Sequence, residues 1–203
     1  MDATATSLPI GTLVSAMPDL SQSDNKNPGD IELMQSVAVG DEAALRTLID
    51  RWKNPLINFF YRSLNSYEQA EDLTQVVFIR IYRAAPRYEP KALFSTYLFH
   101  IARRLLINEY HRRQAKPLFP VDPETLETQH ASHSKQDQFE IEDAFQQSIA
   151  TLPENQRTAI LLLKQQQLSY QEIADVMNSS ESAVKTWIFR ARQQLRSTLK
   201  ELL

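Results

Sequence analysis

The run LSYQEIADVMNSSESAVKTWIFRARQQLR, residues 168–196, restricts the fold more than any other part of this chain. Apolar residues recur in it at helical spacing in two short blocks. Ile173, Ala174 and Met177 make the first, and Ala183, Val184, Ile188, Ala191 and Leu195 the second. Ser169 with Glu172 three positions on predicts a reciprocal cap, in which hydroxyl and carboxylate each satisfy a backbone N–H at the helix start. Asn178 predicts the helix end, because asparagine tolerates the left-handed conformation that closes a helix. Ser179 or Ser180 is expected to cap the second helix, with Glu181 at the positive end of its dipole. The pattern is a helix-turn-helix. The second helix turns Ser182, Lys185, Thr186, Phe189 and Arg190 away from its apolar stripe. Such a face suits duplex DNA, offering donors for phosphates, hydroxyls for base edges and an apolar group for a thymine methyl. It also suits a small helical hairpin whose charged side is merely solvated.

The 203 residues suffice for one large domain or two small ones, and 42% apolar content is enough for ordinary cores. Cysteine is absent, which removes disulfides, thiolate nucleophiles and thiolate-held zinc. Glycine stands only at 11, 29 and 40, leaving no glycine-rich loop for a nucleotide phosphate. No apolar run approaches the ~20 residues that cross a bilayer, and no signal peptide is evident. A cytoplasmic, all-α protein without cofactor, metal or membrane insertion is expected.

The net charge of −3 is unevenly spread. Residues 31–116 carry 13 basic and nine acidic groups, and residues 144–203 seven and five, so each is a modestly basic body. Residues 117–143 carry one and seven, an acidic connector opened by Pro117, Pro120 and Pro123. The expected organisation is a flexible extension over 1–29, a helical domain over 30–116, a flexible acidic linker over 117–142 and a second helical domain over 143–203. His130 and His133 are read as incidental to the linker. Fully extended, the linker spans at most roughly 90 Å. The two basic bodies can thus reach separate sites on one duplex.

Within the first domain Asp30 is expected to cap a helix, and Pro55 to kink or interrupt the second. Residues 67–83 form the clearest amphipathic helix. Ala70, Leu73, Val77 and Ile81 make its stripe, while Glu68, Glu71, Asp72, Gln75 and Arg80 lie elsewhere. That polar side suits either solvent or a docking partner. Residues 95–113 form a basic helix entered from a loop bearing Tyr88, Phe94 and Tyr97. Cations with aromatics can hold a phosphate backbone and stack unpaired bases, although the aromatics serve equally well as core. In the second domain Pro153 is expected at the first position of a helix.

Three segments, AEDLTQVVFIRIYRAAPRY (70–88), FSTYLFHIARRLLINEYHRR (94–113) and LPENQRTAILLLKQQQLSYQEIADVMNSSESAVKTWIFRARQQL (152–195), resemble bacterial RNA polymerase sigma factors of the extracytoplasmic-function class, in the sigma-70 family. The resemblance implies a non-enzymatic subunit that binds core RNA polymerase and promoter DNA to direct initiation. Polymerase binding would fall on Glu71, Asp72, Gln75 and Phe78. Capture of the melted minus-10 strand would fall on Lys91, Phe94, Tyr97, His100, Arg103, Arg104, His111, Arg112 and Arg113. The minus-35 duplex would be read by Ser182, Lys185, Thr186, Phe189 and Arg190. An anti-sigma factor that hides these faces is also implied. Tyr97, Arg104 and Trp187 depart from the family, where Trp, Asn and Arg are common. A dimeric helix-turn-helix regulator is the competing reading, and it requires a dimerisation surface and two-fold symmetric sites.

Overall fold

A computed structural model describes residues 29–115 and 136–202. The extension over 1–28, Lys116 and most of the expected linker, with His130 and His133, lie outside the described residues. Eight α-helices follow in order: α1 Gly29–Ala38, α2 Glu42–Leu64, α3 Tyr67–Ala84, α4 Phe94–Ala115, α5 Gln136–Ala150, α6 Glu154–Gln165, α7 Tyr170–Met177 and α8 Glu181–Leu202. A short 3-10 turn, Ala85–Arg87, follows α3. There is no strand among the described residues.

The helix boundaries have local causes. The Asp41 carboxylate accepts from the N–H groups of Ala43 at 2.9 Å and Ala44 at 3.1 Å, starting α2. Asn65, at φ 53° and ψ 37°, ends it in the left-handed conformation. Ser66 then caps α3, its hydroxyl accepting from Gln69 N–H at 3.4 Å. Pro55 does not interrupt α2, which runs unbroken from 42 to 64. A proline forfeits one ladder bond. Buried Trp52, Leu56 and Phe59 on either side carry the helix across the gap.

Asp30 does something other than cap a helix. It sits inside α1, buried, and accepts from the Trp52 indole N–H at 3.1 Å while pairing with Arg51. Burial pushes its carboxyl above the ordinary value, and Arg51 and Trp52 pull the other way. One carboxylate thereby fastens α1 to α2. Around Trp52 the rings of Phe94 and Phe99 lie 6.1 and 6.2 Å away, and Phe59 meets Phe99 edge-on at 5.4 Å. Edge-to-face contacts of this kind add to what burial alone contributes.

Arg112 and Arg113, expected on the DNA-facing side, are engaged at the end of α4. Arg112 grips the buried Glu109 carboxylate through two hydrogen bonds of 2.7 Å, and Arg113 adds one of 3.4 Å. Arg113 also donates to Leu64 O at 3.2 Å, meeting the exposed last carbonyls of α2. The Arg112 hydrogen bond holds the Glu109 carboxyl below its ordinary 4.5, against the effect of burial. A carboxyl with a lowered folded pKa binds fewer protons folded than unfolded. Its stabilisation is therefore complete above the unfolded value and fades as pH falls through the folded one. Glu109→Gln should cost about 1–3 kcal/mol at neutral pH. It should also flatten the loss of stability below pH 4.5 relative to the parent chain. Urea midpoints measured across that range check both.

In the second unit Leu162, Ile173, Val184 and Ile188 are the central buried residues. Helix α5 begins at Gln136, so the last part of the expected linker is helical. Pro153 stands one position before α6, at its cap. Gln167, at φ 51°, turns the chain between α6 and α7. The buried residues of the two units form one continuous cluster, from Met34 in α1 to Leu195 in α8.

Candidate nucleic-acid interface

The helix-turn-helix is built by its caps. Ser169 Oγ accepts from Glu172 N–H at 3.3 Å, and Glu172 accepts from Ser169 N–H at 2.7 Å. Asn178 closes α7 at φ 48° and ψ 54°, and Ser180 rather than Ser179 caps α8, accepting from Ala183 N–H at 3.2 Å. These bonds fix the turn, and the turn fixes how α8 presents its outer side. Ser182, Lys185, Thr186, Phe189 and Arg190 are all exposed there, Phe189 to 68%. Lys185 pairs with Glu181 at 2.6 Å and lies over the Tyr170 ring, 5.8 Å from its centroid. That pair leaves the ammonium charged and reachable. Trp187 instead packs half-buried against the core. The exposed face continues one and two turns further into Arg192 and Arg196, which lie within about 20° of Lys185 at ~100° per residue. Sequence reading missed these two because their apolar neighbours mark them simply as off-stripe positions.

The loop before α4, the first turns of that helix and α7 of the second unit enclose a cavity of about 590 Å³, lined by Arg83, Arg87, Lys91, Tyr97 and His100 from the first unit and by Asp175 from the second. Lys91 is exposed and pairs with Glu89 at 2.9 Å. Tyr97 is half-buried with its ring 5.1 Å from that of Tyr88. Burial pushes both phenols above their ordinary pKa, so each stays a neutral donor. The Tyr88 hydroxyl and Thr96 Oγ1 are buried without a protein hydrogen-bond partner. Phe94 departs from the expected surface. It is core, wedged between Trp52 and Tyr88. His100, Arg104 and His111 are exposed, whereas Arg103 is partly buried. Burial lowers the Arg103 pKa, and nearby Glu154 opposes that shift.

Helix α3 carries the expected acidic side, with Asp72 and Gln75 exposed and Glu71 partly so. Phe78 is buried, because it falls toward Ile81 on the inner side of the helix and joins the core. Two apolar side chains take the outer position instead. Ile79 is 49% and Tyr82 55% exposed. At ~100° per residue, Ile79 lies within about 20° of Asp72, and Tyr82 the same from Gln75. The signal was present in the sequence, since an isoleucine two residues after the core Val77 cannot share its stripe.

Among the described residues no helix is long and apolar enough to cross a membrane. None of their His, Asp and Glu side chains cluster in a way that could hold a metal ion. The profile of Sigma-70 region 2 matches residues 48–116, and that of Sigma-70, region 4 matches residues 142–195. The ECF RNA polymerase sigma factor SigW of Bacillus subtilis is 32% identical over 181 residues, covering 83% of this chain and 96% of that protein. Among solved structures, CnrH in complex with the cytosolic domain of CnrY superposes with a TM-score of 0.65 at 22% identity, covering 85% of this chain and 97% of the other. The sigma factor RpoE in complex with the anti-sigma factor NepR, from Bartonella quintana, gives 0.60 at 22% identity, with 76% and 96% covered.

Proposed function

The chain belongs to the extracytoplasmic-function sigma factors of RNA polymerase, and from that premise we propose how its surfaces divide the reading of a promoter. As a sigma factor it directs promoter-specific initiation with the core polymerase. It acts in the cytoplasm as a specificity subunit and contributes positioning rather than bond chemistry. The observation that carries the assignment of faces is their separation. An exposed cationic and aromatic side of α8 belongs to the region 4 match, and a cationic, aromatic-lined cavity beside α4 belongs to the region 2 match.

Helix α8 reads the minus-35 duplex with Ser182, Lys185, Thr186, Phe189 and Arg190, and Arg192 and Arg196 extend its grip on phosphates. Lys91, Tyr97, His100, Arg103 and Arg104, with His111 further along α4, hold the displaced minus-10 strand. Unpaired bases stack on aromatic faces while cations follow the backbone, so melting is assisted by trapping what has already opened. Core polymerase docks on α3 through Asp72, Gln75, Ile79 and Tyr82, with Glu71 at the margin. An anti-sigma factor that covers these surfaces is the matching regulator.

Transcription with core polymerase and the full chain on a library of promoter fragments tests this reading. Starts that depend on the chain and share two spaced upstream elements are the expected result. Strong binding to two-fold symmetric sites without polymerase-dependent starts would favour the dimeric regulator. On a selected promoter, Lys185→Ala should lower duplex affinity across sequences and reduce the slope of log affinity against log salt by about 1, as loss of one phosphate contact requires. Anisotropy titrations at several salt concentrations measure it.

A further inference from the structure

We propose that Glu181, the first residue of α8, is a specificity-determining residue of the duplex-reading face: its carboxylate takes a hydrogen bond from a cytosine N4 amino group in the major groove and rejects duplexes that place another base there. The inference rests on the reading of α8 as the helix that enters the minus-35 duplex.

Over residues 181–200 of α8, Glu181 is the one acid beside five cations, Lys185, Arg190, Arg192, Arg196 and Lys200. At ~100° per residue it lies within about 20° of Arg192, 40° of Lys185 and 60° of Arg196. It therefore heads the row of cations, with its side chain 42% exposed. A face shaped only to grip phosphates gains nothing from a carboxylate there, because like charge meets the DNA backbone as the two approach. Capping does not call for it either, since Ser180 Oγ already accepts from Ala183 N–H at 3.2 Å. The Glu181 carboxylate instead accepts from Lys185 at 2.6 Å, and the Tyr170 ring of α7 lies 5.8 Å from the same ammonium. An ammonium has three N–H donors, so one bond to Glu181 leaves two for a phosphate. Lys185 can thus grip the backbone and still hold the carboxylate beside the base edges.

The N-terminal residues of a recognition helix are the ones that meet those edges. A carboxylate only accepts, and the major groove offers it two kinds of donor, adenine N6 and cytosine N4. Adenine carries the acceptor N7 beside N6, which repels the second carboxylate oxygen; cytosine carries a C–H in the corresponding place. Guanine and thymine present acceptors alone. Cytosine is therefore the base selected, as much by repulsion of the other three as by the bond it forms. Ser182, the next residue, has no such preference, since a hydroxyl both donates and accepts.

The test repeats the promoter-library transcription with core polymerase and the full chain, comparing the parent with Glu181→Ala and Glu181→Gln. Circular dichroism checks that both variants keep their helices. For the parent, one minus-35 position is expected to favour cytosine over the other bases by roughly 5- to 150-fold, the range of a single base-pair mismatch. Glu181→Ala should erase the preference at that position alone. By anisotropy it should also bind duplex lacking the element more tightly than the parent does. Glu181→Gln should move the preference to adenine, whose N6 and N7 match an amide. A residue that merely steadied the helix would change all sequences alike and could not move the preferred base. A uniform change across positions in both variants, or an element unaltered by either, would overturn the proposal and leave α8 as the minus-35 reader. If the parent selects no minus-35 element, the reading of α8 falls, and the proposal falls with it.

Discussion

Replacing Ile79 and Tyr82 together with serine is expected to weaken association with core polymerase by roughly 30- to 1,000-fold, the equivalent of about 2–4 kcal/mol for a central pair of interface anchors. Both side chains are half exposed on α3, so the exchange leaves no cavity. Folding and duplex binding should remain as in the parent chain. The charged neighbours are expected to matter less. Asp72 is exposed, and a solvent-facing ion pair contributes only about 0–1 kcal/mol. Asp72→Ala should therefore cost no more than a few-fold, and the cost should shrink in salt, whereas the Ile79 and Tyr82 loss should not. Surface plasmon resonance of immobilised core polymerase at two ionic strengths separates the two. Comparable losses from both variants would place the docking energy in the carboxylates.

The difference between these two groups of residues also shows where the sequence was readable. Periodicity carried the helices over 67–84 and 94–115 to within two residues at each end, but not the unbroken passage of α2 through Pro55 or the start of α5 at Gln136. The Ser169, Glu172 and Asn178 signals located the helix-turn-helix because caps act over three or four positions. Exposure of the α8 face followed from the same stripe. What periodicity could not supply was any property set by residues distant in the chain. Phe94 and Tyr97 stand three positions apart with similar chemistry, yet Phe94 fills the core beside Trp52 and Tyr97 lines the cavity. Arg112 and Arg113 carry the charge expected of a phosphate contact and stay exposed, yet both also meet Glu109 on their own helix, and Arg113 meets Leu64 O on another. Asp30 has the composition of a cap, and its partner proves to be an indole 22 positions away. The packing of one unit on the other was invisible for the same reason. Several of its polar bonds, those of Gln146 to Tyr61 O and Arg62 O and of Arg157 to Ser63 O, end on backbone carbonyls, which every sequence possesses.

Trp52→Ala is expected to be the most destabilising single change in the chain. The side chain is fully buried between Phe94 and Phe99, and removing a large aromatic from a packed core costs about 3–5 kcal/mol. It also takes the indole N–H from the buried Asp30 carboxylate, a further loss of about 1–3 kcal/mol. Total stabilities of natural domains are only about 5–15 kcal/mol, so the variant sits close to unfolding. Trp52→Phe should recover most of the cavity cost but not the hydrogen bond. The experiment also measures how tightly the two units are joined. The chain has two tryptophans, and with Trp52 gone Trp187 on α8 reports the second unit alone. If the shared core from Met34 to Leu195 couples the units, Trp187 fluorescence and far-ultraviolet circular dichroism of Trp52→Ala will fall together at one lowered urea midpoint. A Trp187 transition that keeps the parent midpoint while helicity falls earlier would show the second unit folding independently, and the contact between units contributing little.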